Sequence, residues 1–203
     1  MPAATEEVPD FVFLGGHAAI DFANTGIAER DRVIELLNSW QDVQRWLDGA
    51  GLSAAPGKPS PDGLEKVRKF RDEWRSALER FSQGQPVGGS FLQRLNEHLA
   101  PDVFSERLVQ GQKGTFRTER SDSALLGERW MLACMARQIA NLLVEVDFTR
   151  IHRCANPACI LYFNDTTKNQ RRQWCSNALC GNRHKVAAFR ERQARNAKGR
   201  NSS

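Results

Sequence analysis

CANPACILYFNDTTKNQRRQWCSNALCGNR, residues 154–183, sets Cys154 and Cys159, then Cys175 and Cys180, as two pairs of thiols. Each pair is spaced C-x4-C, with fifteen residues between the pairs, so two short knuckles can close on one tetrahedral ion. The competing reading is disulfides, which persist in oxidising compartments. The opening MPAATEEVPD has neither the basic start nor the apolar run of a secretion signal. The thiols are therefore expected to stay reduced and to hold one structural zinc ion. Cys134, inside WMLACMA, is expected to be an inert core thiol.

Trp174 directly before Cys175, and Gly181, Asn182 and Arg183 directly after Cys180, make this stretch resemble the CGNR zinc finger. In that family the finger closes the chain behind an N-terminal domain named ABATE, described as a candidate stress-induced transcription regulator. The opening LGGHAAIDFANT, residues 14–25, resembles the LGG-x-x-x-x-DF-x-NT start of that domain. The two motifs stand in the right order near opposite ends, so the resemblance spans nearly the whole chain. It implies DNA binding and transcription regulation in a stress response, and only loosely an effector-sensing or partner-binding N-terminal domain.

The charge distribution agrees with a polyanion partner. From Lys168 onward the basic residues are Lys168, Arg171, Arg172, Arg183, Lys185, Arg190, Arg192, Arg195, Lys198 and Arg200, against Glu191 alone. That end carries +9 of a total of +5, which leaves −4 on residues 1–167. A mildly acidic body with a strongly basic end is the footprint of nucleic-acid binding. The first eight of those cations, Lys168 to Arg195, are the candidate phosphate contacts, with double-stranded DNA the expected partner. Arg153, Arg172 and Arg183 have a second reading, since cations near four thiolates offset their charge. No apolar run approaches the roughly 20 residues of a membrane helix, so a cytoplasmic, nucleoid-associated protein is expected.

The fold class expected is α+β: a mainly helical N-terminal domain with a small β-hairpin, followed by a small treble-clef-like zinc finger. Its expected parts are a disordered lead over 1–10, the ABATE-like helical domain over 11–149, the finger over 150–194, and a basic disordered tail over 195–203. After FVFLGG a helix is expected in which His17, Asp21, Asn24 and Thr25 share a narrow polar arc. That arc reads either as a solvated edge with a His17–Asp21 pair or as a wall in which His17, Asp21 and Asn24 bind a small effector. ERDRVIELLN is ambiguous between strand and helix, whereas Ser39 with Asp42 three residues on marks a helix start. Ser60–Pro61 is read as the cap of a helix with Leu64, Val67, Phe70, Trp74, Leu78 and Phe81 inward. VFSERLV and GTFRTER are expected to pair as a hairpin, and residues 123–144 to form the longest, central helix.

Within the finger, ILYFND and RRQWCS are expected to pair across TTKNQ, and a helix to start at Gly181. Val186 and Phe189 are expected to pack onto Tyr162, Phe163 and Trp174, with Lys185, Arg192 and Arg195 on another side. The alternatives to DNA binding are an RNA-binding or protein-docking zinc module, with a homodimer also allowed. An enzyme built on His17, Asp21 and Asn24 is disfavoured, because a zinc saturated by four cysteines has no position open to water.

Overall fold

The computed structural model describes residues 10–29, 32–100, 105–110, 116–121 and 125–200, with the side chains of 29, 105–110, 116–121, 191 and 194–200 left aside. Residues 1–9 of the lead expected over 1–10, and residues 201–203, lie outside that range. The elements run α1 (Ala18–Ala23), β1 (Gly26–Glu29), β2 (Arg32–Glu35), α2 (Trp40–Gly49), α3 (Gly63–Ser82) and α4 (Gly89–Leu99). They continue with β3 (Ser105–Gln110), β4 (Phe116–Ser121), α5 (Gly127–Glu145), β5 (Ile151–Arg153), β6 (Tyr162–Asn164) and α6 (Asn182–Arg200). The strands form three separate antiparallel hairpins, β1 with β2, β3 with β4, and β5 with β6. Helices dominate, so the α+β class holds.

The core forms around α5, whose residues Trp130 to Ala136 are all buried. A helix apolar on every side has to be surrounded, and α1, α3 and α4 pack on it. Phe22 and Trp46 meet with ring centroids 5.6 Å apart, and Trp74 lies 5.8 Å from Phe91. Trp74 donates its indole N–H to the Ala19 carbonyl at 2.7 Å, tying α3 to α1. Cys134 is buried in the same cluster, as its apolar surroundings imply.

Local signals act where they were read, with two changes. Ser39 and Asp42 form a reciprocal capping box at the start of α2. The ambiguous run resolves as a hairpin, which Arg71 of α3 clamps through two contacts to Glu35 at 2.6 and 2.7 Å. Ser60 does not cap α3, which starts at Gly63 after Asp62. Its hydroxyl and N–H instead contact the Glu128 carboxylate at 2.5 and 2.9 Å, where residues 53–62 fold over the entry of α5. That entry is tight: Gly127 has φ +54, and a Cβ there would lie 2.5 Å from the Lys58 carbonyl oxygen. The central helix therefore begins at Gly127, and at nineteen residues it is one shorter than α3. The start expected at Ser123 lies outside the described residues.

Candidate metal centre

β5 runs directly out of a short 3-10 turn, Phe148–Arg150, and its hairpin loop carries the first cysteine pair. The Cys154 N–H bonds the Leu161 carbonyl at 2.9 Å, and the Cys159 N–H bonds Asn156 at 2.8 Å, so both ends of the knuckle are fixed by backbone. The second pair sits at the entrance to α6. Ser176 caps a π turn, Asn177–Gly181, closed by the Gly181 N–H on the Ser176 carbonyl at 3.1 Å. Gly181 packs beneath Trp174, where a Cβ would lie 3.3 Å from the indole.

These pieces bring Cys154, Cys159, Cys175 and Cys180 together with all four sulfurs within 4.8 Å of one another. Cys159 and Cys175 are 3.8 Å apart, Cys175 and Cys180 3.6 Å. A zinc tetrahedron with Zn–S bonds of about 2.3 Å has edges of about 3.8 Å, so the donor set fits one zinc ion. The thiols are free, not disulfide-linked. Hydrogen bonding from Cys175 pulls the Cys159 thiol down to about 5, while that same contact and burial push Cys175 up. Burial also raises Cys180, against the hydrogen bonds from Asn156 and Cys175 that favour its thiolate. Four crowded sulfurs ionise together only with a cation among them.

The fold of the finger differs from expectation in two places. β6 pairs back with β5, not forward with RRQWCS. Asp165 explains this: its carboxylate accepts from Thr167 N–H, Thr167 hydroxyl and Arg172 N–H at 2.9, 2.6 and 2.9 Å. The following chain is thereby wound into a loop before it can form a strand. Gln173 bonds the first knuckle instead, its carbonyl taking the Ala155 N–H at 2.9 Å. Knuckle, loop and helix keep the treble-clef-like order.

The second difference is the orientation of α6. Trp174 packs on His184, with ring centroids 4.7 Å apart. Val186 and Phe189 lie about 200° and 140° around the helix from His184, and so point away from the finger core. They are 49% and 57% exposed. The helix also continues to Arg200, through six residues of the expected disordered tail.

The polar arc of α1 is a docking seam. His17 caps α1 by accepting the Ala19 N–H on Nδ1 at 3.1 Å, and makes no pair with Asp21. Asp21 accepts the Gly15 N–H at 2.7 Å. Asn24, 1% exposed, donates to the Tyr162 carbonyl at 2.8 Å and accepts the Tyr162 N–H at 2.9 Å. The Gly15 carbonyl accepts the Asn164 N–H at 2.8 Å. The outer edge of β6 is thus bonded to the LGG and NT ends of the motif, as though by a further strand. Both ends of the Asn24 amide, His17 Nδ1 and Asp21 Oδ1 are thus bonded to protein, so part of the arc expected to line a ligand wall serves the seam.

Arg172 and Arg75 complete the seam. Arg172 donates to the Trp174 carbonyl at 3.0 Å, the Leu14 carbonyl at 3.1 Å and the Cys175 carbonyl, and its guanidinium lies 4.3 Å from the Phe163 ring centroid. Such a cation buttresses the ligand backbone, with Nε and Nη2 committed to carbonyls. Arg75 of α3 bridges the Ala23 and Ile160 carbonyls. Sequence reasoning missed Arg75, and nothing in the helical pattern of α3 singles it out. Arg183 stays exposed in a cleft it shares with Cys159, Cys175 and Cys180. Lys168, Arg171, Lys185, Arg190 and Arg192 are exposed, and with Arg183 none forms an ion pair with a described residue. The side chain of Arg195 falls outside the described part.

Two family models match the chain. The CGNR zinc finger matches residues 150–193, and ABATE, whose description is "Putative stress-induced transcription regulator", matches residues 16–146. No curated protein matches it.

Proposed function

Because the chain belongs to the ABATE family and ends in a CGNR zinc finger, we propose that it is a transcription regulator that binds double-stranded DNA through α6. The observation that carries this reading is a row of exposed cations, without acidic partners among the described residues, on a helix whose other side is anchored to the cysteine cluster. Arg183 and Arg190 lie on the outward face, Lys185 and Arg192 on a shoulder, and Lys168 and Arg171 on the loop before the second cysteine pair. Such cations displace counterions from a duplex, and a helix held at one end can enter a groove while the loop meets the backbone. Arg172 stands apart from this set, since its Nε and Nη2 donors go to carbonyls of the finger and of Leu14.

The seam supports a role for the N-terminal domain as the platform on which the finger is docked; a small effector or a partner that shifted it would reorient α6. Acting on DNA would place the protein in the cytoplasm at the nucleoid; no helix among the described residues is long and apolar enough to cross a membrane. We read the zinc as structural and the chain as non-catalytic, since four cysteines fill the coordination sphere.

The test is the salt dependence of duplex binding. Replacing Arg190 or Arg192 by Glu is expected to lower affinity and to flatten the plot of log K against log salt by about 0.9 per lost phosphate contact. A slope identical to that of the parent would remove α6 from the interface.

A further inference from the structure

The outward face of α6 carries more than charge. Around an α-helix Arg183, Val186, Phe189, Arg190 and Gln193 fall within about 120° of one another, on the side away from His184 and Trp174. All five are exposed. Leu179 precedes them on the π turn and is 49% exposed. Arg183, Val186 and Arg190 border the same shallow groove as Leu179 and Ala187. Large apolar side chains held in water on a small finger are costly, and the described residues leave about half of each uncovered.

Resting on the reading of α6 as a duplex-binding helix, we propose that this face reads bases in the major groove, with Val186 and Phe189 seated on thymine C5-methyl groups. Three observations fix the occupant. Arg183 and Arg190 line one margin of the ridge and Lys185 and Arg192 the other, so its partner is anionic at the margins and apolar at the centre. Within the groove, the thymine methyl is the apolar group that base pairs offer. From Arg183 to Gln193 the helix advances about 15 Å, enough to follow about four base pairs. Arginine and glutamine are also the side chains whose donors match guanine and adenine edges there. A second copy of the chain is a poor occupant, since pairing through this face would bring two strongly basic helices together. An RNA duplex is poorer still: uracil lacks the methyl, and the A-form major groove is too deep and narrow for a helix.

The test uses alternating (dA-dT) duplexes against (dA-dU) duplexes of equal length, which differ by the methyl group alone. The zinc-loaded chain is expected to bind the thymine duplex about 3- to 15-fold more tightly, a factor of about four for each covered methyl. Phe189→Ala is expected to shrink that preference while leaving the salt slope unchanged; the residue is exposed, so its loss leaves the finger's packing intact. Equal binding of the two duplexes by the parent would overturn methyl reading while leaving the duplex-binding role standing. Failure to bind either duplex would overturn both. A zinc-loaded dimer that Phe189→Ala dissociates would also overturn the inference and assign the ridge to self-association.

Discussion

Asn24→Ala probes the seam on which the account of both halves rests. The side-chain amide makes two hydrogen bonds to the Tyr162 backbone, at 2.8 and 2.9 Å, in a place from which water is excluded. Removing it leaves a buried N–H and a buried C=O without partners. Each such group costs about 1–3 kcal/mol, so the pair amounts to about 2–6 kcal/mol. For a chain of this size each kcal/mol lowers Tm by about 2–4 °C, which predicts a fall of roughly 4–24 °C. The seam also positions β6, and β6 frames the loop holding Cys154 and Cys159, so a chelator is expected to strip zinc faster from the variant. Thermal unfolding followed by tryptophan fluorescence, with zinc release followed by a chromogenic chelator, reads both effects. A fall of less than about 2 °C with unchanged zinc release would show that the Asn24 contacts do not hold the finger in place.

Other consequences are as direct. Arg172→Lys cannot reach three carbonyls from one ammonium, so zinc affinity should fall about 10- to 100-fold while the salt slope of duplex binding, measured after reloading, stays put; intact affinity would refute the buttress. Burial raises Asp21 from 3.8 to about 6, against the opposing bond from the Gly15 N–H. Its folded form therefore takes up the proton first, and its contribution to stability is greatest at low pH and declines as pH rises through about 6. The urea midpoint of the parent should rise relative to Asp21→Asn on going from about pH 7.5 to about pH 5.5, and parallel profiles would refute the shift. Cys175→Ser should lose zinc and the finger's structure. Because Ile151 and Tyr162 belong to the core of the helical domain, that domain should stay folded with a lowered denaturation midpoint. Loss of the whole far-UV signal, or an unchanged midpoint, would contradict this coupling.

Features governed by nearby residues were legible in the sequence. The zinc ligands announce themselves by spacing, Ser39 and Asp42 by a capping box three residues long, and α5 by an apolar run that only a domain centre can bury. What escaped depends on partners far along the chain. Asn24 finds Tyr162 across 138 residues, and periodicity, which rightly put Asn24 on a polar arc, says nothing of what meets that arc. The same blindness affects α6. Its helical character was readable, but the side facing the finger is set by Trp174 on His184 and Gly181, a packing choice that the apolar pair Val186 and Phe189 disguised. The strand partner of β6 escaped because the pattern puts Asp165 at the end of a strand before the TTKNQ turn, whereas its carboxylate winds the following loop.

The central claim is that the finger, held on its domain and carrying α6 outward, selects DNA sites. The most direct measurement is to sequence genomic duplex fragments retained by the zinc-loaded protein, beside those retained by Cys175→Ser. The account predicts a shared motif of a few base pairs containing thymine, absent from the control. Retention without any motif, or equal retention by the control, would contradict it.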